Sequence, residues 1–507
     1  MGEERKTKNS ARIAGLILGP TAFAVIALDL PGFGLAQNAQ LAAAVIALMA
    51  IWWISLAVPI PVTSLIPIIA FPLLGVMKSG QVVKFYANNN IYLFLGGFII
   101  ALAIERWNLH RRMALWMMLR MGGRPSSLVL GFLVVSAALS MWISNTATTM
   151  MMLPIGMAVV LQISESDQKL GRLFAPALML AIAYGASVGG IATPIGTPPN
   201  IEFAGQFEQR FPEAPQITFF DWARVFVPLV VIILPVVWLV LTKVMFRMGK
   251  STATGREIIK HQYRQLGKLR APEMRVFILF VLTALLWVFR SKITIGSLVI
   301  PGWSNLFPHP EMLHDATVAI AMATLLFIIP SGDRKKRGPL MDWATALRVP
   351  WGILLLFGGG FAVAGAFSQT GLDRSMGETL RPIVGELGPW AMILIVCLFV
   401  TFLTELTSNT ATAAALIPIM AATALALGIN PLLLMIPTTI SASCAFMLPV
   451  ATPPNAIIFG SGRVSMGEMV RTGLVLNLLI ALIVATFLYF VLLPAWDMTP
   501  AMPGWAR

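Results

Sequence analysis

Apolar runs of about twenty residues follow one another along almost the whole chain, separated by short polar or basic stretches. Each run is long enough to cross a bilayer as a helix. After a polar tail, residues 1–12, spans are predicted at 13–30, 40–58 and 62–77. A glycine-broken segment at 91–105 leads into a basic, amphipathic, Trp-containing stretch with Arg106, Arg111, Arg112, Arg120 and Arg124, which reads as lying at the membrane surface. Region 127–163 is apolar on both sides of Ser144-Asn145-Thr146. Its two arms are too short for easy full crossings, so it reads as a re-entrant hairpin. Span 172–207 is interrupted at Gly189-Gly190 and again from Thr193 to Asn200, and span 222–246 closes the first half. Beyond the connection 247–272, spans are predicted at 274–290, 315–330 and 351–369, the last again glycine-broken. A second hairpin at 389–427, an interrupted span at 431–459 and a last helix at 470–494 complete the pattern. The sum is about eleven spans and two hairpins in an all-α polytopic membrane protein.

The polar interruptions are a doubled phrase. Ser144-Asn145-Thr146-Ala147-Thr148-Thr149 is followed by Pro154-Ile155, and Ser408-Asn409-Thr410-Ala411-Thr412-Ala413 by Pro418-Ile419 at the same offset. Downstream lie Thr197-Pro198-Pro199-Asn200 and Thr452-Pro453-Pro454-Asn455. Upstream lie Leu95-Gly96-Gly97 and Phe357-Gly358-Gly359. Irregular backbone at membrane depth is tolerated only around a cavity, and paired interruptions in two halves point to a transporter's binding site.

Composition agrees with this class. Of 507 residues 57% are hydrophobic and 11% charged, and the mean hydropathy is +0.82; a soluble globular domain does not read this way. The stretch from Ile13 to Leu30 lacks a small-residue cleavage site and is read as the first transmembrane helix. The net charge of +14 suggests nucleic acid only until its placement is noticed. The basic residues cluster in the tail, in the linker 247–272 and at 333–337, and there they act as topology signals. They agree with one another when the N-terminus is cytoplasmic and Arg507 outside, in the inner membrane of a cell. The expected organisation is a cytoplasmic tail 1–12, a first repeat 13–246, a basic linker 247–272 and a second repeat 273–507. Each half is expected to hold an odd number of crossings, so the repeats are inverted and the hairpins enter from opposite sides.

Ser, Asn and Thr are preferred helix N-caps. The first N–H groups of a helix are unsatisfied and carry the positive end of its dipole. Two such ends aimed at one point bind an anion without Lys or Arg. The Asn amide can donate to a carboxylate while its oxygen ligates a cation. Ser140 and Thr404 lie one helical turn before the motif serines and can complete oxygen shells with Ser144, Asn145 and Gly196 in one half. Thr404, Thr407, Asn409 and Ala451 offer the same in the other. Oxygen cages without a carboxylate suit a monovalent cation. Glu405, inside an apolar run, is a functional candidate by its depth, with a buried hydrogen-bonded brace as the alternative. Its counterpart, Met141, keeps it out of the symmetric machinery.

No enzyme signature accompanies these features. His110, His261, His309 and His314 form no His-Glu-x-x-His motif, and Gly460-Ser461-Gly462 reads as a turn. Cys397 and Cys444 lie in apolar segments as small hydrophobes. No organic cofactor is called for; a monovalent cation is the ion that the oxygen cages suit.

The paired Ser-Asn-Thr tips and Thr-Pro-Pro-Asn phrases resemble those of the divalent anion/sodium symporter family, which includes di- and tricarboxylate carriers. The resemblance covers essentially the whole chain. It implies a homodimer with an outer scaffold, an inner transport domain that moves like an elevator, sodium coupling and a small dicarboxylate such as succinate. Carried to matching positions, it implies carboxylate contacts at Ser144, Asn145, Thr146, Thr197, Pro198, Ser408, Asn409, Thr410, Thr452 and Pro453. It implies one sodium at Ser140, Ser144, Asn145 and Gly196, and another at Thr404, Thr407, Asn409 and Ala451. The rivals are a sodium-independent dicarboxylate exchanger, a citrate or sulfate carrier and, outside transporters, an anion channel.

Overall fold

The computed structural model describes residues 2–30, 32, 34–248, 256–295, 298–333, 337–372 and 387–506. Arg507, much of the early linker and most of the loop 333–337 lie outside the described residues. Among the described residues, the strands are confined to one short antiparallel ribbon, Ile293–Ile295 with Leu298–Ile300, in the connection after helix Ala271–Val288, and the regular structure is otherwise helical. Among the described residues, nine helices are long and apolar enough to cross a membrane. Two of these, Asn145–Ser166 and Asn409–Leu427, are hairpin arms. The remaining crossings of the eleven-span reading fall on shorter apolar helices such as Arg12–Ala27, Ile60–Leu73, Asp315–Ile328 and Leu432–Ala442.

The span expected at 62–77 is itself two pieces, Ile60–Thr63 and Ile66–Leu73. Pro61, Pro67 and Pro72 remove three backbone donors within that stretch, so a regular helix cannot run through it. The Tyr86 hydroxyl donates to the Ser64 carbonyl at the break, meeting part of the loss.

Both glycine-broken segments are instead continuous helices, Asn89–Arg106 and Trp351–Thr370. Their glycines admit close neighbours. A Cβ on Gly96 would lie 2.6 Å from the Ala319 carbonyl carbon, and one on Gly359 2.7 Å from the Ser64 carbonyl oxygen. Small residues that let backbones approach are how membrane helices pack.

Each hairpin is a helix, a short turn and a second helix. The first runs Pro125–Ser140 and Asn145–Ser166, the second Pro389–Thr404 and Asn409–Leu427. The interrupted spans are likewise pairs, Gln168–Gly190 with Pro198–Arg210, and Leu432–Ala442 with Pro453–Gly460. Helix Gln168–Gly190 is almost entirely buried between the arms of the first hairpin, and Leu432–Ala442 packs on both arms of the second. The final helices, Phe219–Leu239 and Met466–Phe487, both end in a wider π turn. The first helix, Gly2–Ala27, has no counterpart in this series. With it, six candidate crossings precede the linker among the described residues, so the first half matches the odd count expected of it only when that helix is set aside.

The buried apolar residues form distinct clusters. One joins both hairpins, both interrupted spans and both final helices, through Phe132, Ile182 and Trp222 with Ile417, Ile436 and Ile480. A second gathers Phe94, Trp287, Ala319, Phe357 and Phe361. A third joins Trp53 and Phe71 to Val363 and Ala414. The hairpins and interrupted spans thus share one core, and the glycine phrases lie on the helices of the flanking clusters.

Candidate functional site

The two hairpin tips meet at one cavity of about 1160 Å³. Ser144, Asn145, Thr146, Ser408, Asn409 and Thr410 line it, together with Gly196, Thr197, Pro198, Ala451, Thr452 and Pro453. All ten residues expected to touch the carboxylates therefore face one space, although the phrases lie about half a chain apart. Four helices begin there: Asn145–Ser166, Pro198–Arg210, Asn409–Leu427 and Pro453–Gly460. Their first-turn N–H groups and positive dipole ends supply the field an anion needs. The cavity's cationic side chains, Arg111 and Arg348, come from elsewhere: the surface helix Leu109–Arg120 and the segment before Trp351. Glu105, His110 and Gln262 line the cavity with them.

The tips are alike without being identical. Ser144 caps its helix by accepting from the Ala147 N–H at 3.3 Å. Ser408 stands at the same position but its hydroxyl makes no capping bond. In the first half the Ser140 hydroxyl donates to the Asn145 Oδ1 at 2.5 Å. In the second, the Thr404 hydroxyl reaches the Asn409 Oδ1 at 2.9 Å and the Ala442 carbonyl at 3.1 Å. The residue one turn before each serine thus orients its asparagine.

Around the first tip, oxygens converge on Gly190. A Cβ there would lie 2.8 Å from the Asn145 Oδ1 and 3.1 Å from the Gly196 carbonyl oxygen. The lack of a side chain keeps the pocket open beside Ser140, Asn145 and Gly196, an all-oxygen set suited to a monovalent cation. In the second half Thr407 departs from the simplest expectation. Its hydroxyl is engaged by the Leu403 carbonyl at 3.1 Å and the Thr412 hydroxyl at 2.5 Å. Its backbone carbonyl offers a second oxygen beside that engaged hydroxyl.

The asparagines of Thr-Pro-Pro-Asn are clamps. Asn200 Nδ2 donates to the carbonyls of Gly190 at 3.1 Å and Thr193 at 2.8 Å. Asn455 Nδ2 donates to those of Ala445 and Leu448, both at 3.1 Å. The bonds reach back ten and seven residues in each half. They hold the irregular loops whose carbonyls otherwise have no helical partner. This identical spacing was visible in the sequence, but no periodicity reveals which side of the loop an amide faces.

Glu405 braces the second loop. Its carboxylate accepts from the backbone N–H groups of Phe446, Met447 and Leu448 at 2.6, 2.8 and 3.0 Å, and from Asn477 Nδ2 at 2.8 Å. The first loop lacks a carboxylate. The Thr193 hydroxyl donates to the Met141 carbonyl at 2.6 Å, and Trp222 Nε1 to the Ile191 carbonyl at 3.0 Å.

Among the described residues, no group of three or more His, Cys, Asp or Glu side chains could hold a metal ion. Any cation at the tips is held by hydroxyl, amide and carbonyl oxygens.

Comparison with known proteins agrees with this arrangement. Among solved structures, the YdaH transporter of Alcanivorax borkumensis matches with a TM-score of 0.56 at 13% identity, over 82% of this chain and 88% of that one. MtrF of Neisseria gonorrhoeae, described with a class of antimetabolite efflux pumps, matches with a TM-score of 0.53 at 15% identity, over 81% and 84%. At such identities the likeness concerns the fold alone. Nearer in sequence is the sodium-dependent dicarboxylate transporter SdcS of Staphylococcus saprophyticus, 39% identical over 99% of this chain and 96% of its own length. The protein of that name in Staphylococcus aureus strain NCTC 8325 is 41% identical over 97% and 93%. The model of the family described as the sodium:sulfate symporter transmembrane region spans residues 10–496. With hairpins, broken helices and cavity all inside that match, the chain belongs to the sodium:sulfate symporter transmembrane region family.

Proposed function

We propose that the protein is a secondary active transporter that carries a small dicarboxylate, of the size of succinate, malate or fumarate, together with sodium across the cytoplasmic membrane. One observation carries this: four helix starts and two asparagine tips, from both halves of the chain, line a single cavity. That arrangement suits two carboxylates, one toward each tip, with a sodium ion behind each. Ser140, Ser144, Asn145 and the Gly196 carbonyl would hold one ion. Thr404, Asn409 and the Thr407 and Ala451 carbonyls would hold the other. Both relatives above carry "sodium-dependent dicarboxylate transporter" as their name, which favours this reading over a sulfate carrier.

The separate hairpin core supports an elevator-like motion against the flanking clusters, and a homodimer formed through the latter. Matched helices, hairpins and clamps support two inverted repeats. Gln262, in helix Arg256–Gln265 of the basic linker, lines the cavity along with Arg111 and Arg348. By the excess of positive charge there, this is the cytoplasmic side, with the cavity open inward.

Uptake of labelled succinate into proteoliposomes, with and without an inward sodium gradient, tests the proposal. Sodium-driven accumulation is expected. Exchange against internal succinate that ignores sodium would identify an exchanger, and unsaturable flux a channel.

A further inference from the structure

Glu202 lies one turn into helix Pro198–Arg210, just beyond the Thr197 and Pro198 that line the cavity. It is fully buried. Its Oε1 accepts from Gln206 Nε2 at 2.5 Å, and its Oε2 has no partner. The Gln206 Oε1 is unpartnered as well. The carboxyl sits on Gly360 of helix Trp351–Thr370: a Cβ there would come 2.0 Å from Oε1. Gln206 also reaches the Ala414 carbonyl, at 3.4 Å, on the second hairpin.

Among the described residues, no counter-charge faces this group. Helices Trp351–Thr370, Asn409–Leu427 and Leu432–Ala442, which pack against it, contain no ionisable side chain. Helix Asn89–Arg106 has Tyr92, which is exposed, and Glu105 and Arg106 in its last turn. On Glu202's own helix, Glu208 is bound by Asn90 at 2.7 Å and meets His314 at 3.4 Å, while Arg210 turns to Ser368. An ionised, unpaired carboxylate at such depth is costly, and ionisable residues there are functional candidates by default. A proton gives the acid a donor in a place where two oxygens lack one.

The position adds a second argument. Phe203 and Phe207 of this helix belong to the hairpin core, whereas Ile201 and Phe361 belong to the flanking cluster. Gln209 Nε2 also bonds the Phe361 carbonyl at 3.0 Å. Glu202 therefore sits on the seam along which the hairpin core would move.

We propose that Glu202 is a proton-binding site at this seam, occupied while the carboxyl is seated on Gly360 and released when the hairpin core shifts along helix Trp351–Thr370. This rests on the moving core of the proposed function. On release the O–H bond breaks, water or buffer takes the proton, and the bonding electrons stay on the carboxylate. The linkage has a definite sign. Acid favours the seated state, and alkali favours the displaced one, by up to about tenfold in their ratio per pH unit for a single proton.

The test is sodium-driven uptake of fumarate into proteoliposomes, at several pH values equal on both sides; fumarate stays a dianion over the neutral to alkaline range. Wild type is expected to change rate several-fold, Glu202→Asp to do so with a shifted midpoint, and Glu202→Gln to stay flat. A Glu202→Gln profile parallel to wild type overturns the proposal, as does a pH-blind wild type that transports. A wild type that moves no fumarate under any condition sinks the transport reading itself. Should Glu202→Gln fail to assemble, infrared spectra of wild type with glutamate carbonyl-labelled decide. A protonated-carboxyl band that diminishes when substrate and sodium drive the cycle supports the site, and its absence overturns it.

Discussion

Asn477 Nδ2 donates to the Glu405 carboxylate across 2.8 Å, tying the last transmembrane helix to the turn of the second hairpin. Through Glu405 the tie extends to three consecutive backbone N–H groups of the loop that carries Ala451 and Thr452 toward the cavity. Hydrogen bonds to a buried charged group are individually worth about 1.5–3 kcal/mol, and an orphaned N–H costs more than a bond never made. Glu405→Ala is expected to destabilise the protein by at least about 3 kcal/mol, read as a lowered Tm in detergent. Glu405→Gln should do less harm, and Asn477→Ala less still. Unchanged melting of Glu405→Ala would refute the brace.

The tips are predicted to be indispensable for transport and dispensable for folding. On the proposed reading, Asn145→Ala and Asn409→Ala would each remove an oxygen offered to a cation and an amide offered to a carboxylate. Both variants should elute as wild type by size exclusion and show no uptake above background. Near-normal uptake by either would take that tip out of the site.

Binding is predicted to require sodium. Each tip sets oxygens beside the place proposed for a carboxylate, Ser140 with Asn145 and Thr404 with Asn409, so a cation held there would stabilise the substrate next to it. Calorimetric titration with succinate should give heat in sodium and little in choline. Reciprocity then requires succinate to tighten sodium binding by the same factor. Ser140→Ala and Thr404→Ala should each weaken apparent sodium affinity. Equal succinate affinity in the two salts would remove the coupling.

Gly190→Ala separates the two cation sites. Its Cβ would press on the Asn145 Oδ1 and the Gly196 carbonyl. The equivalent residue ten before Asn455 is Ala445, which already carries a Cβ. Apparent sodium affinity should fall at least about tenfold in Gly190→Ala, a penalty of about 1.4 kcal/mol or more. Its retention would show that the first shell lies elsewhere.

One pH effect is expected at the surface. Asp342 accepts from the Thr345 N–H at 2.8 Å and pairs with Arg106 at 2.5 Å. The Thr345 backbone bond, then the Thr345 side chain and Arg106, hold its carboxyl below the ordinary range. A depressed carboxylate stabilises the fold above its unfolded value and loses that contribution as pH falls through the folded one. Asp342→Asn should thus melt below wild type at neutral pH, and the gap should close in acid. A gap independent of pH would mean that charge is not the cause.

The sequence showed the hairpins, the broken spans and the cavity-lining residues, because Ser-Asn-Thr and Thr-Pro-Pro-Asn are strong local stop-and-start signals repeated in apolar surroundings. It misled at Gly96-Gly97 and Gly358-Gly359. A glycine that ends a helix and one that admits a neighbour look alike until the neighbour is known, here Ala319 and Ser64. Glu202 passed unnoticed for a different reason. With Gln206, Glu208 and Arg210 it reads as the polar end of a span, and only packing shows that its face of the helix is dry. Thr407 stood out as a candidate ligand, but the bonds that engage its hydroxyl, to Leu403 and Thr412, could not be read from the sequence.

The two halves differ in one dimension that leaves their clamps untouched. Fifty-three residues separate Ser144 from Thr197 and forty-four separate Ser408 from Thr452, yet both asparagines reach back ten and seven. The slack sits largely in the helices before the loops, 23 residues against 11. The difference in length is taken up upstream, in helix length, and the loop-to-asparagine interval is the same in both halves. Within this chain the asparagine, and not the length of the helix that leads into the loop, sets where the loop carbonyls are held beside each tip.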